Sequence, residues 1–529
     1  MTDVSALSID QLSQEIARLR ALVGQQEQTI QTLNHQLHLF RTARFGRKSE
    51  KAVVPEQLAL QFDEAVPVVE VQLIENCPPT ETQTITYTRT KKGTGRKPLP
   101  QSLPFVEQVY DLTDEEKQCV CGCALTHIKD EITEQLDVVP QMTFRVVHIR
   151  KQYACKACEE TIKLAPLPKQ PISQSIATPG LLAAVIHSKF RCHMPLYRQE
   201  TMFDEAAISL TRGTLSNWVI KAAELLTPLV KLMEDGIQTY DVAYADETPL
   251  QVLKEKGRPP TQKSYMWLFI GGTPSQRAFV YQYHPTRSHQ IPADFFQDFK
   301  GYIHADCYKA YSSLAAQGAI RHAACWAHAR RYFVDVTKTT KKEGLAHQII
   351  ALIGKLYLLE RSFKGNNASV ATILEERTLK ANPILLQIKE ILDKASLNVL
   401  PKSPLGMAIF YALTHWDALN TYLCDGRLEI DNNLSERSIK PFVIGRKNWL
   451  FHGNDRGARA GSILFSLIET CKYHKVDVFS WLKYVLANIQ QAHTITQLES
   501  LLPYNINTQL LTDMRKLPNL TFSAQGGVN

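Results

Sequence analysis

From residue 239 the apolar residues of this chain change from a helical to an alternating pattern, and this change constrains the fold most strongly. Four runs are rich in aromatic and β-branched residues and are separated by turn residues: "TYDVAYADETPLQVL" (239–253), "SYMWLFIGG" (264–272), "AFVYQYH" (278–284) and "GYIHADCY" (301–308). Such runs are typical of successive β-strands. With a helix predicted over "IPADFFQDF" before the fourth strand, the pattern predicts a mixed α/β sheet.

Helical patterns precede this sheet. After a Pro-rich linker, three runs have helical patterns. They are "LLAAVIHSKFR", "PLYRQETMFDEA" and, after the break "AISL", "TRGTLSNWVIKAAELL". Thr211 or Thr214 suits the N-cap of the last helix, and residues 166–238 have the outline of a helix-turn-helix DNA-binding region. Any helical hairpin has the same outline, so both interpretations stay open.

Helical patterns also follow the strands, as in "GLAHQIIALIGKLYLLERSF". We expect a helical insertion at 340–425 that divides the sheet-containing region into a first part at 239–339 and a second part at 426–490, with a C-terminal tail at 491–529. A chain of 529 residues exceeds one ordinary hydrophobic core, which agrees with three or more units.

Near the N-terminus the apolar positions advance by alternating steps of four and three residues. The series is Leu12, Ile16, Leu19, Val23, Gln26, Ile30, Leu33, Leu37 and Phe40. A period of 3.5 residues sustained over four heptads predicts a coiled coil, with Gln26 as a polar core position that fixes the register. We therefore expect residues 1–51 to form a coiled coil with a basic end and the protein to be a homo-oligomer. An amphipathic helix packed on its own chain is the alternative.

Basic residues are concentrated in two blocks near the N-terminus. Residues 41–51 and 88–98 each hold five Lys or Arg residues, whereas residues 52–88 hold six acidic residues and no basic one. Such blocks, in a chain of net charge +8, favour nucleic-acid arms flanking a linker at 52–104, and a merely solvated linker is the alternative. The arm candidates are Arg41, Arg44, Arg47, Lys48, Arg89, Lys91, Lys92, Arg96 and Lys97.

The composition, with 44% hydrophobic and 21% charged residues, is typical of a soluble globular protein. No apolar run approaches the roughly 20 residues that cross a bilayer. The N-terminal sequence also lacks the basic and apolar regions of an export signal. We therefore expect a cytoplasmic protein without membrane contact.

Five of the eleven cysteines are clustered between residues 119 and 158. The second pair, Cys155 and Cys158, has the C-x-x-C spacing of a zinc knuckle, whereas the first group is C-x-C-x-C. We expect a small module at 105–165 in which Cys119, Cys121, Cys155 and Cys158 hold a structural Zn²⁺, with Cys123 as the alternate ligand. Free or redox-active thiols are the competing interpretation.

Two aspartates lie where predicted strands end. Asp246 precedes "ETP", and Asp306 ends "GYIHAD". With a third carboxylate from a distant helix they would form a pocket for two divalent cations, and carboxylate oxygens suit Mg²⁺ or Mn²⁺ in phosphoryl chemistry. Glu247 alternates to the opposite face from Asp246. Carboxylates at strand ends also commonly cap turns, so the pattern alone does not decide.

The tract "LEIDNNLSERSIKPFVIGRKNWLF" at 428–451 offers three candidates for the third carboxylate. Glu429 fits a solvent-facing position, and residues 431–433 are of the types that begin a helix. With Asn433 as N-cap, Glu436 is the third helical residue, which predicts a capping-box-like arrangement or an ion pair with Lys440 as alternatives to a catalytic role.

Several motifs, taken in order, resemble those of transposases of the bacterial insertion-sequence-sixty-six family. They are "RTARFGRKSEK", "GRKPLPQSLP", "YACKAC", "PLYRQE", "ADETPLQVL", "CWAHARRYF", "IDNNLSERSIKPFVIGRKNWLF" and "SLIETCKYHKVDVFSWLKYVL", between about residues 38 and 490. The resemblance implies a DDE transposase with a ribonuclease-H-like core, acting on the bacterial nucleoid. The family's three catalytic carboxylates match Asp246, Asp306 and Glu436, and its helical insertion matches the long spacing before the glutamate.

The resemblance also implies a mechanism. Two Mg²⁺ or Mn²⁺ ions held by the three carboxylates would activate water to cut the transposon end, and the freed 3'-hydroxyl would attack target DNA. Double-stranded DNA is the expected partner, and small accessory proteins of the same element are further candidates. Candidate phosphate contacts, each of which is otherwise a surface charge, are His328, Arg330, Arg331, Arg437, Lys440, Arg446 and Lys447.

Three other functions compete with transposition. A zinc-containing DNA-binding regulator would need the coiled coil, the basic arms and the zinc-binding cysteines. It would not need three carboxylates at the family's motif positions. A metal-dependent nuclease that cuts without joining shares the same chemistry. A defunct copy of an element is disfavoured because no acidic motif residue is missing.

Overall fold

The computed structural model describes residues 169–516, apart from residue 317 and residues 339–342, and short pieces upstream. The pieces are scattered positions between 18 and 33 and between 143 and 148, and the strands β1 (Gln152–Ala154) and β2 (Ile162–Leu164). The chain divides into two compact units, one comprising Met1–Ser49 with Pro168–Asn529 and the other Glu50–Leu167.

In the smaller unit, β1 and β2 pair in antiparallel register, with Tyr153 opposite Lys163. β1 ends immediately before Cys155. The five cysteines predicted to supply the zinc ligands, and the basic residues of both predicted arms, lie outside the described residues.

The described positions between 18 and 33 are helical. Four of the apolar heptad residues, Leu19, Val23, Ile30 and Leu33, are 51–58% exposed. An uncovered apolar seam on a helix is compatible with a coiled coil, which stays a prediction.

Three helices precede the central sheet, as predicted. They are α1 (Pro179–Ile186), which continues into a π-helical turn (His187–Arg191), α2 (Leu196–Glu205) and α3 (Arg212–Gln238). Thr211 is the N-cap of α3, and its hydroxyl accepts a hydrogen bond from the Thr214 N–H at 3.3 Å. One face of α3 is buried along its whole length, so this helix forms part of the core. DNA contact by this hairpin stays a prediction.

The central sheet is mixed. Its strands are β3 (Val242–Lys254), β4 (Lys263–Gly271), β5 (Ala278–His284), β6 (Gly301–Ala305), β7 (Ile320–Ala324) and β8 (His452–Asn454). The order is β5-β4-β3-β6-β7, and β8 pairs with the end of β3. β3, β4 and β5 are antiparallel neighbours, whereas β6 and β7 run parallel to β3. The four predicted strands are confirmed, and β7 and β8 are additional.

The start of β6 depends on glycine. Gly301 has φ +132°, and a Cβ there would lie 2.2 Å from the Asp241 carbonyl oxygen. That carbonyl accepts a hydrogen bond from the Tyr302 N–H at 2.8 Å. Only a residue without a side chain permits this approach, which sets the register of β6 against β3.

Short helices link the parallel strands, and a larger helical region follows β7. The linking helices are α4 (Gln290–Phe295), before β6, and α5 (Lys309–Ala315), between β6 and β7. The following helices are α6 (Trp326–Thr337), α7 (Leu345–Gly365), α8 (Val370–Glu376), a π-helical turn (Arg377–Ala381), α9 (Asn382–Ser396), α10 (Pro404–Thr414) and α11 (Trp416–Asn420). Residues within 340–425 are therefore mostly helical, as predicted for the insertion.

The chain returns to the sheet with the tract that contains Glu436. The remaining helices are α12 (Asn433–Trp449), α13 (Asp455–Tyr473), α14 (Val478–Asn488) and α15 (Ile495–Glu499). α13 covers the edge strand β5, where its Ser466 and Thr470 hydroxyls accept hydrogen bonds from the Tyr281 and Phe279 N–H groups at 2.8 and 3.1 Å. Within the described part of the chain, none of the helices combines the length and apolar character needed to span a bilayer.

A buried arginine fastens the insertion to the segment that leads to α12. Arg377 is 2% exposed and forms a bidentate pair with Glu360, with both N–O distances 2.8 Å. It also donates to the carbonyls of Tyr422, Asp425 and Leu428 at 2.8–2.9 Å. All five N–H groups of the guanidinium are thus used.

Removing this arginine should destabilise the fold strongly. Arg377→Leu leaves the Glu360 carboxylate buried without a partner, for which we expect a loss of about 3–5 kcal/mol in the free energy of unfolding. The double variant Arg377→Leu/Glu360→Leu should recover part of this loss because no buried charge remains. Urea denaturation measures both, with Lys389→Met at an exposed ion pair as the control. Equal losses in the single and double variants would contradict the charge-burial argument.

Candidate active site

Parallel strands place the two predicted aspartates side by side. In the pairing of β3 with β6, Tyr244 lies opposite His304. Asp246 and Asp306 each lie two residues beyond this pair. Because residues two apart on a strand share a face, both side chains emerge on the same face of the sheet, at the edge where the pairing of β3 with β6 ends. The prediction that Asp246 ends its strand is wrong, because β3 continues to Lys254, whereas Asp306 directly follows β6.

Glu436 reaches this edge from the first turn of α12. The segment before the helix is fixed by Asn432, whose side-chain amide donates to the Ala245 carbonyl at 3.1 Å and whose N–H donates to the Cys325 sulfur at 3.2 Å. Ala245 is the residue before Asp246. The start of α12 is therefore attached to β3 next to the first aspartate.

The capping box predicted for Glu436 is wrong. The N-cap is Asn432, not Asn433, so Glu436 is the fourth helical residue, and the N-cap side chain makes no capping hydrogen bond. Instead Asp431 accepts hydrogen bonds from the Asn433 N–H and side-chain amide at 3.1 and 2.7 Å. Among the described residues, Glu436 forms no ion pair with Lys440, and its buried Oε1 has no hydrogen-bond partner.

The pKa of Asp246 reflects its burial and the carboxylates around it. Burial raises the pKa of Asp246 well above 3.8, and the charges of Glu247, Asp306 and Glu436 raise it further, against one hydrogen bond from the Glu247 N–H. Burial and the charge of Asp306 also raise the pKa of Glu247. Ionising several carboxylates this close together costs free energy unless a bound cation offsets their repulsion. Their oxygen donors suit Mg²⁺ or Mn²⁺.

Glu247 has partners of its own, which the sequence did not reveal. Its Oε1 accepts from Arg287 Nε at 2.7 Å and its Oε2 from the Tyr311 hydroxyl at 2.8 Å. The Arg287 guanidinium lies 4.0 Å from the centre of the Tyr308 ring. Glu247 is therefore committed to a structural network, in agreement with the prediction that it does not share the site of Asp246.

His328 lies beside Glu436, and its predicted phosphate contact stays a prediction. Its Nε2 lies 3.6 Å from Glu436 Oε1, and the ligand atoms of Cys325, His328 and Glu436 all lie within 4.8 Å of one another. Burial lowers the pKa of His328, against the charge of Glu436, which argues against a permanent cation there. Burial raises the pKa of the Cys325 thiol. Cys325 is not among the predicted site residues, although it shares the motif "CWAH" (325–328) with His328.

The predicted phosphate contacts on α12 fall into two groups. Arg437, Lys440 and Lys447 are exposed and follow one face of the helix at three- and seven-residue steps. Arg446 faces the other way, and its Nη1 donates to the Thr248 hydroxyl at 3.2 Å, which ties α12 to β3. On α6, Arg331 is exposed and Arg330 is partly buried.

Family models match most of the chain. The model described as Transposase IS66 family matches residues 174–460, and the IS66 C-terminal element matches residues 466–504. Upstream, a model described as Transposase C of IS166 homeodomain matches residues 32–107. The zinc-finger binding domain of transposase IS66 matches residues 116–159, which supports a zinc cofactor.

Full-length relatives occur in Sinorhizobium fredii. The uncharacterized protein y4jD is 33% identical over 519 residues, which cover 94% of this chain and 98% of the relative. The uncharacterized protein y4qI is 30% identical over 514 residues, covering 93% of this chain and 92% of the relative. The similarity therefore extends over nearly the whole chain.

The raised pKa of Asp246 has a consequence for stability. The unfolded chain releases this proton near pH 3.8 and the folded protein only at higher pH, so the folded state loses stability as the pH rises above about 3.8. Without added Mg²⁺, Asp246→Asn should therefore raise the Tm at neutral pH and change it little near pH 4. Added Mg²⁺ should raise the Tm of the wild type more than that of the variant.

Differential scanning calorimetry over this pH range measures the effect. Asp298→Asn, at an exposed position, is the matched control and should not change the Tm. A lower Tm for Asp246→Asn at neutral pH would contradict the conclusion that the ionised carboxylate is destabilising.

Proposed function

Because the chain belongs to the IS66 family of transposases, we propose that it binds the terminal inverted repeats of its insertion sequence, cleaves the ends and joins the 3'-hydroxyls to target DNA. Asp246, Asp306 and Glu436 are the catalytic residues in this proposal. The observation that carries it is the convergence of three carboxylates, from two parallel strands and one distant helix, at one edge of the sheet.

The donor atoms at this edge suit divalent cations. Three carboxylates meet there, the pKa of Asp246 is raised by burial and by its acidic neighbours, and Glu436 Oε1 is buried without a hydrogen-bond partner among the described residues. Asp246, Asp306 and Glu436 would hold Mg²⁺ or Mn²⁺. When bound, such ions supply an activated nucleophile and stabilise the leaving oxygen in phosphodiester cleavage and transfer.

The protein's own contribution is to position these oxygens and the DNA. Asn432 fixes the start of α12 against β3, and His328 lies beside Glu436 where it limits the freedom of that carboxylate. Arg437, Lys440 and Lys447 form an exposed basic stripe that begins next to Glu436. Phosphates bound along this stripe would place the DNA backbone over the carboxylates.

The remaining parts of the proposal concern the fold of the core, the oligomeric state, the zinc ligands and the partners. The sheet, with three antiparallel strands followed by two parallel ones, supports a ribonuclease-H-like core interrupted by the helical insertion. The half-exposed apolar heptad residues support an N-terminal coiled coil and a homo-oligomer. Cys119, Cys121, Cys155 and Cys158, with Cys123 as alternate, are the proposed zinc ligands, and the basic arms are proposed DNA contacts. Accessory proteins of the same element are further proposed partners.

Loss of any catalytic carboxylate should abolish cleavage. We expect Asp246→Asn, Asp306→Asn and Glu436→Gln each to eliminate Mg²⁺-dependent cleavage of terminal-repeat DNA while leaving DNA binding intact, because the substitutions remove metal-ligand charge without changing side-chain size. The assay uses a labelled transposon-end duplex with target plasmid and is scored for cut and joined products.

Glu429→Gln is the matched control from the same tract. Its carboxylate pairs with Lys364 at 2.7 Å, away from the carboxylate site, so cleavage should persist. Full cleavage by Glu436→Gln would refute the role of that residue. Cut but unjoined product would favour the nuclease interpretation, and binding without cleavage would favour a regulator.

The basic stripe should contribute to the salt dependence of DNA binding. Each of Arg437→Ala, Lys440→Ala and Lys447→Ala should reduce the slope of log K against log salt by about one, since each removes one phosphate contact. Lys394→Ala, at an exposed position of the insertion, should leave the slope unchanged. Fluorescence anisotropy titrations at several salt concentrations measure the slopes, and unchanged slopes for all three stripe variants would exclude these contacts.

A further inference from the structure

An exposed, mostly aromatic surface lies outside the carboxylate site, on helix α6 at the end of the first part of the core and on helix α10 of the insertion. It consists of Tyr332 on α6 and of Met407, Phe410 and Tyr411 on α10, and we call it the aromatic platform. Tyr332, Met407 and Phe410 are 43%, 43% and 67% exposed. The three α10 residues share one helix face because they are three and four positions apart. Apolar side chains grouped at a surface, unlike scattered ones, commonly mark a binding site.

Ring contacts join the two tyrosines of the aromatic platform. The rings of Tyr332 and Tyr411 lie 4.5 Å apart between centroids with an interplanar angle of 32°. Tyr411 in turn packs against His415, with ring centroids 4.9 Å apart. Tyr411 therefore supports Tyr332 from one side and leaves the rest of the Tyr332 ring exposed.

Two contacts connect the aromatic platform with the carboxylate site. Tyr332 follows His328 by one helical turn, about 6 Å along the axis of α6, and His328 lies 3.6 Å from Glu436. Tyr411 interacts through its hydroxyl with the thiol of Cys307, the residue that follows Asp306. Tyr332 therefore lies one helical turn from the histidine beside Glu436, and Tyr411 contacts the residue that follows Asp306.

We infer that the aromatic platform stacks an unpaired base of the transposon end next to the bond that is cut. This inference rests on the proposed function. Aromatic rings stack on bases of any sequence, and Tyr332 lies one helical turn from His328, beside the residues that would act on the DNA end. The exposed Arg331 adjoins Tyr332 and offers a phosphate contact at the same place.

A base can occupy the aromatic platform only after it leaves its pair. Unpairing costs free energy, which is smaller for a mismatched or already unpaired base. Stacking on the aromatic platform would offset this cost for a duplex end held at the carboxylates. The protein should therefore prefer end duplexes in which the base that reaches the platform is already unpaired.

Binding measurements test the inference without requiring catalysis. The probes are labelled duplexes of the element's outermost base pairs, fully paired or with one mismatch placed at successive positions, with no added divalent cation. At one position the wild type should bind the mismatched duplex about 5- to 150-fold more tightly than the paired one, the range expected for stacking one base. Tyr332→Ala and Phe410→Ala should lose most of this preference.

Conservative and distant variants provide the controls. Tyr332→Phe and Tyr332→Trp should retain the preference because they keep a ring, and Leu397→Ala, at an 85% exposed aliphatic position of the insertion, should retain it too. Sedimentation of each variant reports the oligomeric state, and its melting curve reports folding. If Tyr332→Ala fails to fold, Tyr332→Leu, which keeps the apolar bulk without a ring, replaces it and should also lose the preference.

The outcomes separate this inference from the proposed function. The inference is overturned if the wild type shows no preference for a mismatched duplex, or if Tyr332→Ala keeps the full preference. If Tyr332→Ala keeps the preference but changes its oligomeric state, the surface is assigned to contact with a second protomer instead. A clear preference in a wild type that does not cleave when Mg²⁺ is added supports the inference and refutes the proposed function.

Discussion

The parallel pairing of β3 with β6 is the constraint on which the candidate site depends. It sets Asp246 and Asp306 in equivalent positions, and it begins at Gly301, where a side chain would collide with Asp241. Asp241 has a second role, because its carboxylate forms a bidentate pair with Arg427 at 2.7 Å for each bond. One residue therefore connects the start of the strand pair with the segment that carries Glu436.

The helical insertion brings distant parts of the chain together rather than separating them. Arg377 binds the carbonyls of Tyr422, Asp425 and Leu428, so the end of the insertion is held where the chain returns to the sheet. Further along, His304 bonds to the Glu429 carbonyl at 2.8 Å and the Trp326 N–H donates to the Ile430 carbonyl at 3.2 Å. Because each bond joins the tract to a different element, the start of α12 is fixed from several directions.

The sequence predicted the elements better than it predicted their contacts. Period-two patterns rich in aromatic and β-branched residues predicted β3 to β6, whereas β7, with the sequence "IRHAA", lacks that composition and β8 has only three residues. The choice of N-cap was wrong by one residue because the Asn432 side chain is used in a tertiary bond to Ala245, which no local pattern contains. Arg287 was not predicted for the same reason, because this loop residue matters through its tertiary contact with Glu247, which no local sequence pattern contains.

Two buried charged groups show the difference between a residue that stabilises the fold and one that is available for function. The guanidinium of Arg377 has every donor paired, as buried ions in a stable core require. By contrast, among the described residues Glu436 Oε1 and its neighbours His328 Nδ1 and Ser435 Oγ are buried without hydrogen-bond partners. Unpaired buried polar atoms cost stability, and folded proteins keep them mainly where a ligand will satisfy them. The absence of a hydrogen bond to Oε1 among the described residues distinguishes Glu436 from Glu360, both of whose carboxylate oxygens accept hydrogen bonds from Arg377.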